Sequence, residues 1–176
     1  MIITISGTAG SGKSTAAKLL AKELDFKHYS IGDLMRKIAK EKGLTLLELS
    51  AKAEKDPEID KELDKKQIDL GKTEDNFIID SRLGFHFIPH SFKVYLKVSE
   101  EEAAKRIFKE NRQHEKYQDI KESQEKIKQR KRSEDKRYMD YYKVNYQKES
   151  NYNLVIDTTN LSPEKVIKAI RKSISL

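Results

Sequence analysis

The run 2–6, Ile-Ile-Thr-Ile-Ser, reads as a buried strand and leads without a spacer into Gly7-Thr8-Ala9-Gly10-Ser11-Gly12-Lys13-Ser14. These residues match G-x-x-x-x-G-K-[ST] at every position, and a helical pattern over 13–24 follows at once. Strand, glycine-rich turn and helix in that order constrain the fold more than any other feature of the chain. The glycines let the backbone bend so that successive N–H groups converge on one anion, and the helix N-terminus adds its positive end. Gly7, Thr8, Ala9, Gly10, Ser11, Gly12, Lys13, Ser14 and Thr15 are therefore expected to cradle the phosphates of a nucleotide. Lys13 is placed for the β- and γ-phosphates, the Ser14 hydroxyl for Mg²⁺, and Thr15 for an α-phosphate.

Four further runs, 27–30, 77–80, 92–98 and 154–157, read as strands. All but 27–30 are β-branched or aromatic and nearly continuous in apolarity, the mark of strands buried on both faces. Helical patterns separate them. Ala17, Leu20, Ala21 and Leu24 form one stripe; Thr45 with Glu48 and Ser99 with Glu102 read as capping boxes. Asp56-Pro57 and Ser162-Pro163 each pair an N-cap residue with proline at the first helical position. The alternation predicts an α/β fold of the P-loop NTPase kind, a five-stranded parallel sheet covered by helices and joined by right-handed crossovers. Residues 31–76 and 99–153 hold more chain than one crossover helix needs, so two helical excursions are expected on a single domain spanning 1–176.

Composition narrows the chemistry. Cysteine is absent, which excludes disulfides, thiolate zinc sites and cysteine nucleophiles together. No apolar run approaches the ~20 residues of a membrane span, and residues 1–5 do not resemble a signal peptide. No membrane partner is expected, and the expected compartment is the cytoplasm. A net charge of +7 suits a polyanionic partner without choosing among nucleotide, nucleic acid and lipid. Residues 104–148 hold 15 Lys/Arg against 8 Asp/Glu, a surplus equal to that net charge. Most of a helix so decorated is a solvated face.

A phosphate cradle alone requires only that a nucleoside triphosphate binds. A GTPase would need a base-reading N-K-x-D, which is missing, and a helicase or recombinase core usually needs a longer chain. Small kinases that carry their acceptor on inserted helices remain. Against that background four stretches carry a specific likeness: 7–15, GTAGSGKST; 30–36, SIGDLMR; 80–84, DSRLG; and 130–138, RKRSEDKRY. With them the chain resembles the nucleoside monophosphate kinases, most closely the short cytidylate kinases of the archaeal type. Asp56-Pro57-Glu58-Ile59-Asp60 is similar to that family as well.

The resemblance implies transfer of the γ-phosphoryl group of ATP, with Mg²⁺, to a nucleoside monophosphate, CMP or dCMP foremost, by a monomer. It makes about 31–72 the acceptor-binding insertion and about 110–137 a lid. Gly32 and Arg36 would hold the acceptor, Arg36 by gripping its phosphate. Arg130 and Arg137, seven apart on one helix face, would reach over the phosphates as catalytic residues. Arg106 and Arg112 flank the start of the lid, Arg106 as a substrate-binding candidate.

The residues support parts of this by themselves. Arg36 lies one turn into a helix at the carboxyl edge of the sheet, where its guanidinium could fork two phosphate oxygens. Asp80 ends an apolar strand, where a carboxylate near the magnesium of the cradle would be stabilised, and Arg82 points to the same crevice, where it could bind the substrate by holding the acceptor phosphate. Ser81 stands where the family usually has glycine, and Lys131 where some bacterial relatives have an acid. Thr158, Thr159 and Asn160 resemble the loop beside the donor base. His86, His90 and the tyrosines at 138, 141, 142 and 146 read as packing residues. The acceptor is already an anion, so catalysis would rest on positioning and charge neutralisation, with no side-chain base. The alternatives are an adenylate kinase, another small-acceptor kinase, or an ATP-dependent protein docking on RNA or a ribosome through its basic segment. Nucleic acid is not the expected partner.

Overall fold

The computed structural model describes residues 1–110 and 117–174. Its elements run β1 (Ile2–Gly7), α1 (Lys13–Leu24), β2 (Lys27–Ser30), α2 (Ile31–Glu41), α3 (Leu46–Ala53), α4 (Glu58–Thr73), β3 (Phe77–Asp80), α5 (Gly84–Phe87), β4 (Phe92–Lys97), α6 (Glu100–Glu110), α7 (Ile120–Tyr142), β5 (Leu154–Asp157) and α8 (Pro163–Ser173). The strands form one parallel sheet in the order β2-β3-β1-β4-β5. Alternation of apolar strands with helices predicted this α/β class, and strand limits differ from the sequence reading by at most a residue.

The sheet is buried on both faces because its strands are apolar on both. Ile3, Ile5, Ile78, Val94 and Leu96 pack with Ala17 and Leu20 of α1 and with Val166, Ile167 and Ile170 of α8. On the opposite face Ile2, Phe77 and Ile79 pack with Leu70 of α4 and Ile88. From β1 the chain builds β2 and β3 to one side, then β4 and β5 to the other. The crevice beyond the carboxyl end of β1 is thus where the winding changes direction, the place open α/β sheets offer a ligand.

Two helical excursions flank that crevice, α2 to α4 before β3 and α6 to α7 before β5. Thr45 and Glu48 complete the expected capping box of α3. The box expected at Ser99 forms only by half. Its hydroxyl accepts from the Glu102 N–H, but the Ser99 N–H donates to Thr159 Oγ1 and the Glu102 carboxylate turns to Arg106.

The segment expected as a lid, about 110–137, is described only in part. Arg112 and the rest of 111–116 lie outside the described residues, and 120–142 is one continuous helix. Its second half is fastened to the first excursion: Tyr141 donates to the Ala53 carbonyl (2.9 Å), Lys136 pairs with Glu54, and Tyr142 donates to Asp64. Tyr138 and Tyr146 fill an apolar cluster with Tyr95, Phe85 and Leu83. Among the described residues no helix is long and apolar enough to cross a membrane.

Candidate active site

Gly7 and Gly10 show why the turn after β1 admits no side chain. Gly10 has φ +75°, and a Cβ there would come within 2.8 Å of the Ala103 backbone; one on Gly7 would meet the Leu96 carbonyl at 2.1 Å. The loop so formed is held from inside, with Ser11 Oγ and Lys13 Nζ both donating to the Thr8 carbonyl (2.9 and 2.8 Å). Burial pushes the Lys13 ammonium well below the ordinary lysine pKa, and the neighbouring Arg82 charge adds to the shift. An anionic phosphate beside it would relieve both effects.

Ala9, Gly10, Gly12, Lys13, Ser14 and Thr15 line a cleft of about 960 Å³, open to solvent. Asp80, Arg82, Gly32, Arg36 and Arg130 line the same cleft from three other elements. Six of the sequence-selected positions outside the loop thus fall into two groups. Gly32, Arg36, Arg82, Arg130 and Asp80 gather at the cradle, while Arg137 does not.

Arg82 and Arg130 are joined by a residue the sequence reading passed over. Buried Glu134 accepts from Arg82 Nε at 2.7 Å and from Arg130 Nε at 3.0 Å. Burial would raise its pKa, but the two guanidinium groups overcome this and hold it at about 2. Arg82 also donates through Nη1 to the Gly7 carbonyl. Both arginines therefore stand fixed at the loop with N–H groups left over. Arg36 pairs with Asp33 one turn back on α2.

Arg137, expected to act with Arg130, lies apart from it and does not line this cleft. Seven residues of helix return to the same face but advance about 10 Å along it. That advance carries Arg137 to α4, where its Nη1 donates to Asp60 in a buried ion pair. Arg106, expected to bind substrate, does not line this cleft either. Its pairing with Glu102 turns it to the loop after β5, where it donates to the carbonyls of Thr158 (2.8 Å) and Thr159 (3.1 Å). There Arg106, Thr158, Ser11 and Thr15 line a second cleft on the far flank of the loop.

Asp80 fits a magnesium ion. Ser30 Oγ donates to its Oδ1 at 2.7 Å and His28 Nε2 lies 3.2 Å from its Oδ2, so the carboxylate is oriented while each oxygen keeps a lone pair. With the Ser14 hydroxyl it offers the hard oxygen donors magnesium takes. Among the described residues no three His, Cys, Asp or Glu gather into a metal site of their own.

The cleft is polarised. Its loop end carries Lys13, Arg82 and Arg130 with Asp80 and Glu134 among them, Arg36 lines it from α2, and another wall is α4, with Asp60, Leu63, Asp64 and Gln67. Asp60, Asp64 and Gln67 are all buried, at positions i, i+4 and i+7. A helix normally keeps that stripe apolar. This was the signal that could have located the wall from sequence.

The cytidylate kinase-like family matches residues 2–160. The chain is 40% identical to a cytidylate kinase of Sulfurisphaera tokodaii, over 97% of this chain and 93% of that one. It is 42% identical, over 96% of its length, to an S-adenosylmethionine-dependent nucleotide dehydratase of Lacinutrix mariniflava, of which it spans only 34%. Among solved structures, shikimate kinase from Bacteroides thetaiotaomicron superposes with a TM-score of 0.69 over 100% of this chain and 99% of that one, at 14% identity. That likeness shows the P-loop kinase fold alone.

Proposed function

The chain belongs to the cytidylate kinase-like family, and from that premise we propose that it transfers the γ-phosphoryl group of ATP to CMP or dCMP, giving ADP and the diphosphate. The observation that carries this reading is the polarity of the cleft, cationic at the glycine-rich loop and acidic along α4. A nucleoside monophosphate has the matching asymmetry, a phosphate at one end and an uncharged base at the other. Excursion α2–α4 is the acceptor wall in this reading, and α7 covers it.

The loop binds the β- and γ-phosphates of the donor through its N–H groups and Lys13. Arg106, with Thr158 and Thr159, belongs to the donor flank. Arg36 and Arg82 orient the acceptor phosphate, whose oxygen attacks the γ-phosphorus as the bond to the β-bridging oxygen breaks. Arg82 and Arg130, held by Glu134, neutralise charge on the transferring group without rearranging, which is where such sites gain most. Ser14 and Asp80 would hold Mg²⁺, which when bound would supply charge neutralisation for the phosphates. No side chain need remove a proton.

The test is turnover with ATP and Mg²⁺ against CMP, dCMP, UMP, AMP, GMP and dTMP. Fast turnover with CMP or dCMP is expected. A preference for AMP would keep the mechanism and refute the acceptor, and silence on all six would refute the kinase reading. The dehydratase relative favours a second reading, about context: the unit makes phosphorylated nucleotide for an enzyme that consumes it. Mixing this chain, ATP and an acceptor with such a dehydratase tests that; dehydration equally fast without the kinase would refute it.

A further inference from the structure

We propose that Asp64, with Gln67 beside it, reads the exocyclic amine of the acceptor base and so makes the site prefer cytosine to uracil. This rests on the acceptor reading above and adds the residues that discriminate. Of the two acids on the α4 wall, Asp60 is spent: both its oxygens accept from Arg137. Asp64 is not. Its Oδ2 accepts from the Tyr142 hydroxyl, which pins the carboxyl, while Oδ1 has no hydrogen bond among the described residues on a side chain lining the cleft. Gln67 is pinned as well. Its Oε1 accepts from Ser81 Oγ and its Nε2 donates one hydrogen to the Leu63 carbonyl, leaving one N–H.

The wall therefore offers one fixed acceptor and, one turn along the helix, one fixed donor. Cytosine has the complement, an N4 amine that donates and an N3 that accepts. Uracil has the reverse, an O4 that accepts and an N3–H that donates, so its O4 would face a carboxylate oxygen. A phosphate does not suit that place, because the open oxygen of the Asp64 carboxylate would repel it.

The Asp64 carboxyl also titrates within reach. Burial raises its pKa to about 6; the Tyr142 hydrogen bond lowers it, Asp60 raises it and Arg137 lowers it. Other groups nearby are Arg36 of α2 on the same cleft and His86 of α5, whose ring meets that of Tyr142, whereas α3 packs there through apolar residues such as Leu49. Above about pH 6 Asp64 accepts from the cytosine amine; below it the protonated acid can donate to uracil O4.

The experiment is kcat/KM for CMP and for UMP from pH 5 to 8, in wild type and Asp64→Asn. The acceptor phosphate titrates alike in both nucleotides, so their ratio isolates the base. In wild type the CMP/UMP ratio should rise roughly 10- to 100-fold through pH 6, the worth of one hydrogen bond to a charged group. In Asp64→Asn the Tyr142 hydroxyl keeps the amide oxygen and turns the N–H₂ to the base. The ratio should collapse by a similar factor, UMP should gain in absolute terms, and the pH dependence should vanish. A ratio that survives in Asp64→Asn overturns the assignment; if that variant does not fold, a flat wild-type ratio overturns it. Wild type inactive on every nucleoside monophosphate would instead overturn the kinase reading, a distinct result.

Discussion

Replacing Glu134 by glutamine removes one charge from between two fixed arginines, and the structure sets the size of the effect. The Glu134 side chain is 4% exposed, against 12% for Arg82 and 18% for Arg130. Its pKa is about 2 in the folded chain against 4.5 for an ordinary glutamate. A carboxylate depressed in this way adds stability that is fully present above pH 4.5 and is lost as pH falls through 2, roughly 3 kcal/mol in all. Breaking a buried pair costs about 3–5 kcal/mol, since the partner charges stay buried, and a glutamine can accept from one arginine but turns an N–H₂ toward the other. Glu134→Gln should therefore lose about 3 kcal/mol at pH 7, or roughly 6–12 °C in Tm. Urea unfolding across pH 7 to 3.5 is the assay. The gap from wild type should narrow on acidification, and inorganic phosphate should narrow it at pH 7 by giving Arg82 and Arg130 a substitute anion. A gap under about 1 kcal/mol, or one indifferent to pH and phosphate, would refute the claim that Glu134 holds these arginines for a phosphate.

Lys13→Ala should lower turnover roughly 100- to 1,000-fold and leave thermal stability nearly unchanged, because among the described residues the ammonium makes one hydrogen bond, to Thr8, and is already penalised by burial; near-full activity in steady-state rates would contradict its place at the phosphates. Arg106→Ala should raise the KM for ATP several-fold with little effect on the acceptor KM, since it lies with Thr158 in the second cleft, which the proposed mechanism gives to the donor; the opposite split would return it to the acceptor. Gly10→Ala should be far more damaging than Gly12→Ala, measured by ATP affinity and urea midpoint. Both have positive φ, about 1 kcal/mol for an alanine, but only at Gly10 would the Cβ strike backbone, and equal losses would show that conformation alone matters.

The local signals were legible because their causes are local. A strand, three glycines and Lys13-Ser14 define a phosphate loop by backbone freedom and helix polarity, and continuous apolar runs define strands covered on both faces. The family likeness added Arg36, Arg82 and Arg130, and all three reach the cleft. What the sequence left open was direction over distance. Arg130 and Arg137 share a face, but two turns of rise deliver one to the loop and the other to Asp60. Arg106 pairs with Glu102 and faces the loop after β5.

The sequence by itself determined the phosphate cradle, the class of the sheet and the two excursions, since each follows from residues adjacent in the chain. Only tertiary structure decided which charges meet. Glu134 reaches Arg82 across 52 residues and Arg137 reaches Asp60 across 77. A charge is cheap in water and costly when buried, so its role is set by the partner that folding brings to it. That pairing leaves Arg82 and Arg130 held at the loop and Asp64 with an oxygen to spare.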